Sequence, residues 1–391
     1  MHDDLRPHTV SMISFIIHQS EREQVDNRSM PTPSYVPISL CVLLLAVPSL
    51  FPVVSAISGP STFTAPLIRE AAASNHVLVL NLRGGGEAIM PADTASTAAS
   101  STALSLIGAV LDRIDTSLVA ASHGQGIAAL FAVSFATVAA FTMVRTSYAF
   151  TIGYGGAVAI MSAKLISSFK VPLLFAEKLS ASGHLVNASL IYGIRLAAYL
   201  FFRNLTVPSK AKAMKDMDKT PRLKRLILAF NVAMLYAFMM TPVLCALRDN
   251  EQVLGGALGQ SQQAGVVMAY LGLAIEAISD AHKYIVKKSN DSEYGSTTFV
   301  GPTSGTFLLC RHPAYFGEVL FWLGLFVGGA VTLGKSAAAW ICSILGMAGI
   351  TFVMTSASKR LDKKQLDNYG GQEKYDTYRG RVRGRIVPLV G

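Results

Sequence analysis

Seven stretches of this sequence are long and apolar enough to cross a lipid bilayer, and no other feature restricts its fold as strongly. They fall at about 126–144, 147–168, 184–202, 224–247, 264–281, 313–333 and 336–356. In hydrocarbon every backbone polar group must be bonded within its own segment, so runs of this length fold as helices. Composition agrees. Apolar residues make up 51% of the 391 and charged residues 15%, against roughly a quarter charged in a soluble domain. The expected fold is all-α: a multi-span transmembrane helix bundle of about seven spans.

Charge sets the expected orientation. Residues 203–225 hold Arg203, Lys210, Lys212, Lys215, Lys219, Arg222, Lys224 and Arg225. The next loop, 248–263, sets Arg248 against Asp249 and Glu251. The loop at 282–312 is basic again through Lys283, Lys287, Lys288 and Arg311, and so is the tail beyond 356. Excess Lys and Arg mark cytoplasmic loops, so the spans begin in the lumen and the C-terminal tail is cytosolic. The net charge of +10 is thereby spread over loops between spans, which speaks against a nucleic-acid-binding face. The four cysteines, Cys41, Cys245, Cys310 and Cys342, form no CxxC pair; neither a disulfide framework nor a zinc or other metal site is expected.

The N-terminus reads as an address. Residues 36–56, "VPISLCVLLLAVPSLFPVVSA", form a short apolar run ending in Val54-Ser55-Ala56, which fits signal-peptidase cleavage. Residues 1–56 are therefore read as a leader and signal peptide. Residues 57–125 are read as a lumenal linker carrying an amphipathic helix at 101–121, interrupted by Asp112, Arg113 and Asp115. Residues 126–391 are the membrane domain. "LRGGGEA" at 82–88 lacks the GK[ST] ending of a phosphate loop.

Several spans carry charge, which costs at least about 2–3 kcal/mol per group and calls for a partner or a wet cavity. Glu276, Asp280 and Lys283 recur at i, i+4 and i+7, so one helical face carries all three. Arg195 lies within another span, and His312 and Glu318 lie six apart at the start of the sixth. One alternative is a solvated helix end at Asp280 and Lys283 with Arg195 snorkelling to the interface. The other is a polar pocket open to the cytosol, where basic groups pair with phosphates and carboxylates accept from hydroxyls or an amide. Pro313 suits a helix's first turn, and a helix N-terminus there directs donors at an anion.

The blocks "LGLAIEAISDAHKY", "SGTFLLCRHPAYFGEVLFWLGLFVGG" and "EKYDTYRGRVRGRIVPLV" resemble, in order and spacing, the steroid 5-alpha-reductase C-terminal-like family, with DUF1295-type membrane proteins as the nearest subgroup. "SYAFTIGYGGA" at 147–157 and "LIYGIRLAAYLFFRN" at 190–204 also resemble that subgroup, so the likeness covers about 130–390. It implies NADPH bound from the cytosolic side and hydride delivery to a carbon–carbon double bond of a sterol- or isoprenoid-like lipid. By motif match, Arg311, His312, Tyr315, Gly317 and Glu318 would border the cofactor. Glu276, Asp280 and Lys283 would supply the preceding acidic helix, and Tyr375, Tyr378 and Arg379 the closing tail. The chain departs from the family pattern at Ala314, usually Asn, and at Thr306-Phe307, usually Leu-Trp. The resemblance places no proton donor; Tyr148, Tyr154 and Tyr192 are tyrosines within spans, where packing and interface anchoring are the ordinary roles.

The same Arg-His-Pro core occurs in isoprenylcysteine carboxyl methyltransferases, so an S-adenosylmethionine-dependent lipid methyltransferase is the alternative. A non-catalytic lipid-binding membrane protein is the third reading. The expected location is the endoplasmic reticulum or another internal membrane, including that of a plastid.

Overall fold

The computed structural model describes residues 108–120, 122–174, 179–206, 218–248, 256–291 and 298–388. The expected signal peptide, the Gly-rich stretch at 82–88, Cys41 and the loop lysines Lys210, Lys212 and Lys215 lie outside them. Residues from Leu118 onward form one compact unit; the described part of a second unit, residues 108–117, is helical.

Among the described residues the chain is all-α, with no strand. The elements are α1 (His123–Val144), a 3-10 turn (Thr146–Phe150), α2 (Ile152–Ser168), α3 (Ala181–Thr206) and α4 (Arg222–Arg248). They continue with α5 (Gly256–Asp291), a second 3-10 turn (Gly305–Leu308), α6 (Pro313–Ala330), α7 (Ala337–Tyr369) and α8 (Glu373–Arg381). Six helices have the length and hydropathy to cross a membrane: α1, α3, α4, α5, α6 and α7. The run at 147–168 divides into the first 3-10 turn and α2, only 17 residues long and largely buried. α2 thus faces other helices more than lipid.

Hydroxyls within the helices are satisfied locally. Thr142 donates to the carbonyl of Val138, Ser162 to Val158, Ser189 to Leu185 and Thr241 to Ala237, which answers the demand of hydrocarbon for internal bonding. α6 begins at Pro313, where a missing N–H costs nothing. α7 begins where Ser336 accepts from the Ala339 N–H.

Several helix pairs approach almost backbone to backbone, two of them beside the polar side chains of the spans. α2 meets α3 where Gly155 and Gly193 face each other; a Cβ on Gly155 would lie 2.8 Å from the Gly193 carbonyl oxygen. α5 meets α6 where a Cβ on Gly317 would lie 2.6 Å from the Glu276 nitrogen. Without a hydrophobic drive between helices in lipid, small residues at such crossings supply the packing contact.

Two helices outrun their apolar cores. α5 extends to Asp291 and α7 to Tyr369, well past the apolar limits at 281 and 356; the polar end of α7 pairs with the C-terminal segment through Asp362 and Arg379. That segment, with the stretch before α6, forms a small aromatic core of Phe299, Phe307, Tyr375, Tyr378 and Val382. Beyond α8 it runs back beside the start of α6, where the Arg311 N–H donates to the Gly384 carbonyl and the His312 N–H to that of Arg385.

Candidate functional site

The residues singled out by sequence separate into two groups, one inside the bundle and one at the end of α6 against the tail. Glu318 lies six positions beyond His312, the N-cap of α6, a rise of about 9 Å at 1.5 Å per residue.

The interior group joins four helices. Tyr154 of α2 donates its hydroxyl proton to Glu318 Oε1 of α6 at 2.9 Å and accepts from Trp322 Nε1 at 2.8 Å. The hydroxyl of Tyr192 on α3 lies 3.2 Å away. Since the single proton of Tyr154 goes to Glu318, Tyr192 is the donor in that pair, giving a chain Tyr192 to Tyr154 to Glu318. The rings are fixed by stacking: Tyr154 on Tyr236 with centroids 4.7 Å apart, Tyr192 on Phe321 at 4.1 Å.

Beside this chain Arg195 of α3 bridges two acids of α5. It pairs with Glu276 Oε1 and, at 3.1 Å, with Asp280 Oδ2. Its guanidinium lies 5.9 Å from the Tyr192 ring centre. Arg195 is therefore held by the two acids rather than snorkelling, and Asp280 is paired within the bundle instead of forming a solvated helix end with Lys283. Glu276 is 3% exposed and Glu318 7%. Glu276 Oε2 and Arg195 Nε are buried without a hydrogen-bond partner among the described residues.

The second group centres on Asp362, on the polar end of α7. Arg311 grips it through Nε to Oδ1 at 2.8 Å and Nη2 to Oδ2 at 3.1 Å, and its Nη1 donates to the carbonyls of Val382 and Arg383. Arg379 Nη2 lies 3.7 Å from the same carboxylate and His312 Nε2 3.5 Å. Burial holds the His312 imidazole below its usual range, opposed by Asp362. Burial likewise pushes the neighbouring Cys310 thiol up to about 11. His312 Nε2, Tyr375 Oη, Arg379 Nη1 and Arg385 Nε are buried without a hydrogen-bond partner among the described residues.

Several residues of the motif also have structural partners here. Arg311 is committed to Asp362 and the tail carbonyls and so fastens the tail. Gly317 is a helix crossing, filled by the α5 backbone. Tyr378 donates to the Phe307 carbonyl at 3.0 Å inside the aromatic core, and Tyr375 packs in the same core. Tyr315 sits half-buried beside His312, ring centres 5.9 Å apart. Lys283 follows Asp280 on α5. Sequence reading passed over Tyr154, Tyr192 and Trp322 as site residues and missed Asp362 and Arg385. One signal was present: Tyr154-Gly155, Tyr192-Gly193 and Gly317-Glu318 each set a polar side chain beside a crossing glycine, which carries it into the interface.

A family model described as a protein of unknown function (DUF1295) matches residues 143–382, more than half of the chain. No curated protein and no solved structure matches the sequence.

Proposed function

We propose, from the premise that this chain belongs to the DUF1295 family of membrane proteins, that it is an oxidoreductase using NADPH to reduce a carbon–carbon double bond of a sterol- or isoprenoid-like lipid. We place it in the endoplasmic reticulum or another internal membrane. The observation that carries the reading is the buried hydroxyl chain Tyr192–Tyr154–Glu318, set beside the partnerless Glu276 Oε2. Polar machinery of this kind inside apolar helices is costly unless it has work to do.

The two groups suit the two ends of a dinucleotide. Glu276 Oε2 is an acceptor for a ligand N–H or hydroxyl. Arg379 and Arg385 present unused buried donors on the phosphate side, next to His312, whose Nε2 faces Asp362. Bound there, NADPH would supply a hydride to one carbon of an electron-poor double bond, whose other carbon needs a proton. Tyr192 and Tyr154 hold a transferable proton in register with Glu318, and the packed rings of Tyr236 and Phe321 exclude water around them. Ala314, where the family usually has Asn, offers no amide, which leaves recognition of a carboxamide to Glu276.

The second reading, an S-adenosylmethionine-dependent lipid methyltransferase, draws support from Arg311-His312-Pro313 and from carboxylates beside aromatic faces, a setting that suits a sulfonium. Thermal melting of the detergent-purified protein separates these readings. At a hundredfold excess over Kd a ligand adds about 2.7 kcal/mol, a shift of about 5–10 °C for a domain of this size. A rise with NADPH alone supports the reductase and a rise with S-adenosylmethionine alone the methyltransferase. No rise with either sinks both and leaves a non-catalytic lipid-binding protein.

A further inference from the structure

On α7 the outward stripe does not end where the apolar run ends. Ile341, Leu345 and Phe352 are exposed and recur at intervals of four and seven, which places them on one side of the helix. Lys359 and Lys363 follow at seven and then four, on the same side, and both are exposed. The apolar run stops at 356, so by rise alone Lys359 stands about 4–5 Å beyond it and Lys363 about 10 Å. The headgroup layer is about 5–7 Å deep on each side of a bilayer, and a lysine stem bends back toward it. Two like charges one turn apart repel each other, and here they sit directly over the lipid-facing stripe.

α4 brings a third cation to the same height. It runs antiparallel to α7: a Cβ on Gly346 would lie 2.6 Å from the Met239 nitrogen, and one on Gly349 2.5 Å from Leu235 Cδ1. Eleven residues on from Gly349 is Arg360 and eleven back from Leu235 is Lys224, about three turns along each helix. Lys224 therefore lies on the α7 side of α4, level with Arg360, and it is exposed. The acids of this end are turned elsewhere or stand too far out. Asp362 is gripped by Arg311, Asp218 accepts from the Thr146 N–H, and Asp367 lies about 16 Å beyond the apolar limit, outside the headgroups. Arg360 is half-buried, and Arg225 donates to the Thr220 and Asp218 carbonyls. Arg222 and Lys364 are exposed and add charge of the same sign.

We propose that the ends of α4 and α7 form a seat for an anionic phospholipid, with Lys224, Lys359 and Lys363 around its headgroup phosphate and Phe352 and Leu345 beside its acyl chains. The lipid comes from the leaflet at the tail end of the bundle, where juxtamembrane lysines attract anionic headgroups. The apolar stripe continuous with the lysines is what distinguishes a lipid from a soluble phosphate, which has no use for it. The seat lies on the outer side of α7, away from Asp362 and the interior network, and does not depend on the nucleotide reading above.

Native mass spectrometry of the detergent-purified full chain, titrated with phosphatidylglycerol or with phosphatidylcholine of the same acyl chains, tests the proposal. Phosphatidylglycerol should bind about tenfold tighter or more. Combining Lys224→Gln, Lys359→Gln and Lys363→Gln should bring the ratio toward one. Combining Lys374→Gln, Arg381→Gln and Arg383→Gln, which removes the same charge from exposed positions of the tail, should leave it intact. If the first combination fails to fold, Lys359→Gln and Lys363→Gln singly should each lower the ratio. A ratio near one in the unaltered chain overturns the seat. So does a ratio that survives loss of the three lysines or falls equally in the tail combination, since either result reduces the effect to net charge. Inorganic phosphate should not displace the bound phosphatidylglycerol; displacement would overturn the lipid assignment in favour of a soluble anion.

Discussion

Tyr154 has one proton and three polar neighbours, and which of them takes it decides what the site can do. The geometry commits that proton to Glu318, with Trp322 and Tyr192 donating inward. Tyr154→Phe keeps the ring stacked on Tyr236 but removes the relay, so the melting temperature should stay within a few degrees. Under the proposed reductase reading, turnover should fall by about 10²-fold or more; undiminished turnover would remove Tyr154 from the chemistry. His312 has a different consequence. Its folded-state pKa is depressed by burial, so on acidification the unfolded chain takes the proton first, near pH 6.5. Stability is therefore full above that value and declines as pH falls below it, until the folded pKa is reached. Asp362, Arg311 and Lys283 all act on this imidazole. Melting curves between pH 8 and 5 should show that decline, and His312→Gln should flatten it. Glu276, Asp280 and Glu318 could be picked out in the sequence because charge in an apolar run is conspicuous. Tyr154 and Tyr192 could not, because a tyrosine in a span is unremarkable until its neighbour is known.

The helices themselves were legible from apolar run length, and their crossings were not. Gly317, expected from the resemblance to border a cofactor, is where α6 touches α5. A methyl group there forces the helices apart, and overpacking of this kind costs about 1–3 kcal/mol. Gly317→Ala should lower the melting temperature, whereas Gly380→Ala, with open space around it, should not. A matching loss in both variants would deny the crossing its special place. The polar end of α7 was also missed, since hydropathy stops at 356 while the helix continues to Tyr369. Its Asp362 fastens Arg311 and the tail. Asp362→Asn should speed trypsin cleavage at Arg379–Arg385 by about tenfold, equivalent to about 1.4 kcal/mol of local opening; an unchanged rate would show that the backbone pairing with Gly384 and Arg385 suffices.

At the scale of the whole molecule, the tail and the start of α6 share one end of the bundle, and the turn between α6 and α7 lies at the other. The basic loops assign the tail end to the cytosol. Lys374→Cys on α8 should therefore react with an impermeant maleimide from the cytosolic face, and Lys335→Cys only from the opposite face; the reverse pattern would invert the topology. That the chain forms membrane-length helices, and roughly where, follows from the sequence alone, because transfer between water and hydrocarbon is a property each segment carries by itself; the division of 147–168 into a turn and the short α2 does not. Which helices touch, and so the union of Tyr154, Tyr192, Glu276 and Glu318 in one network, was settled only in three dimensions. Side chains on four separate helices share no local signal: their meeting depends on glycine contacts between segments, whose energy exists only once the helices have packed.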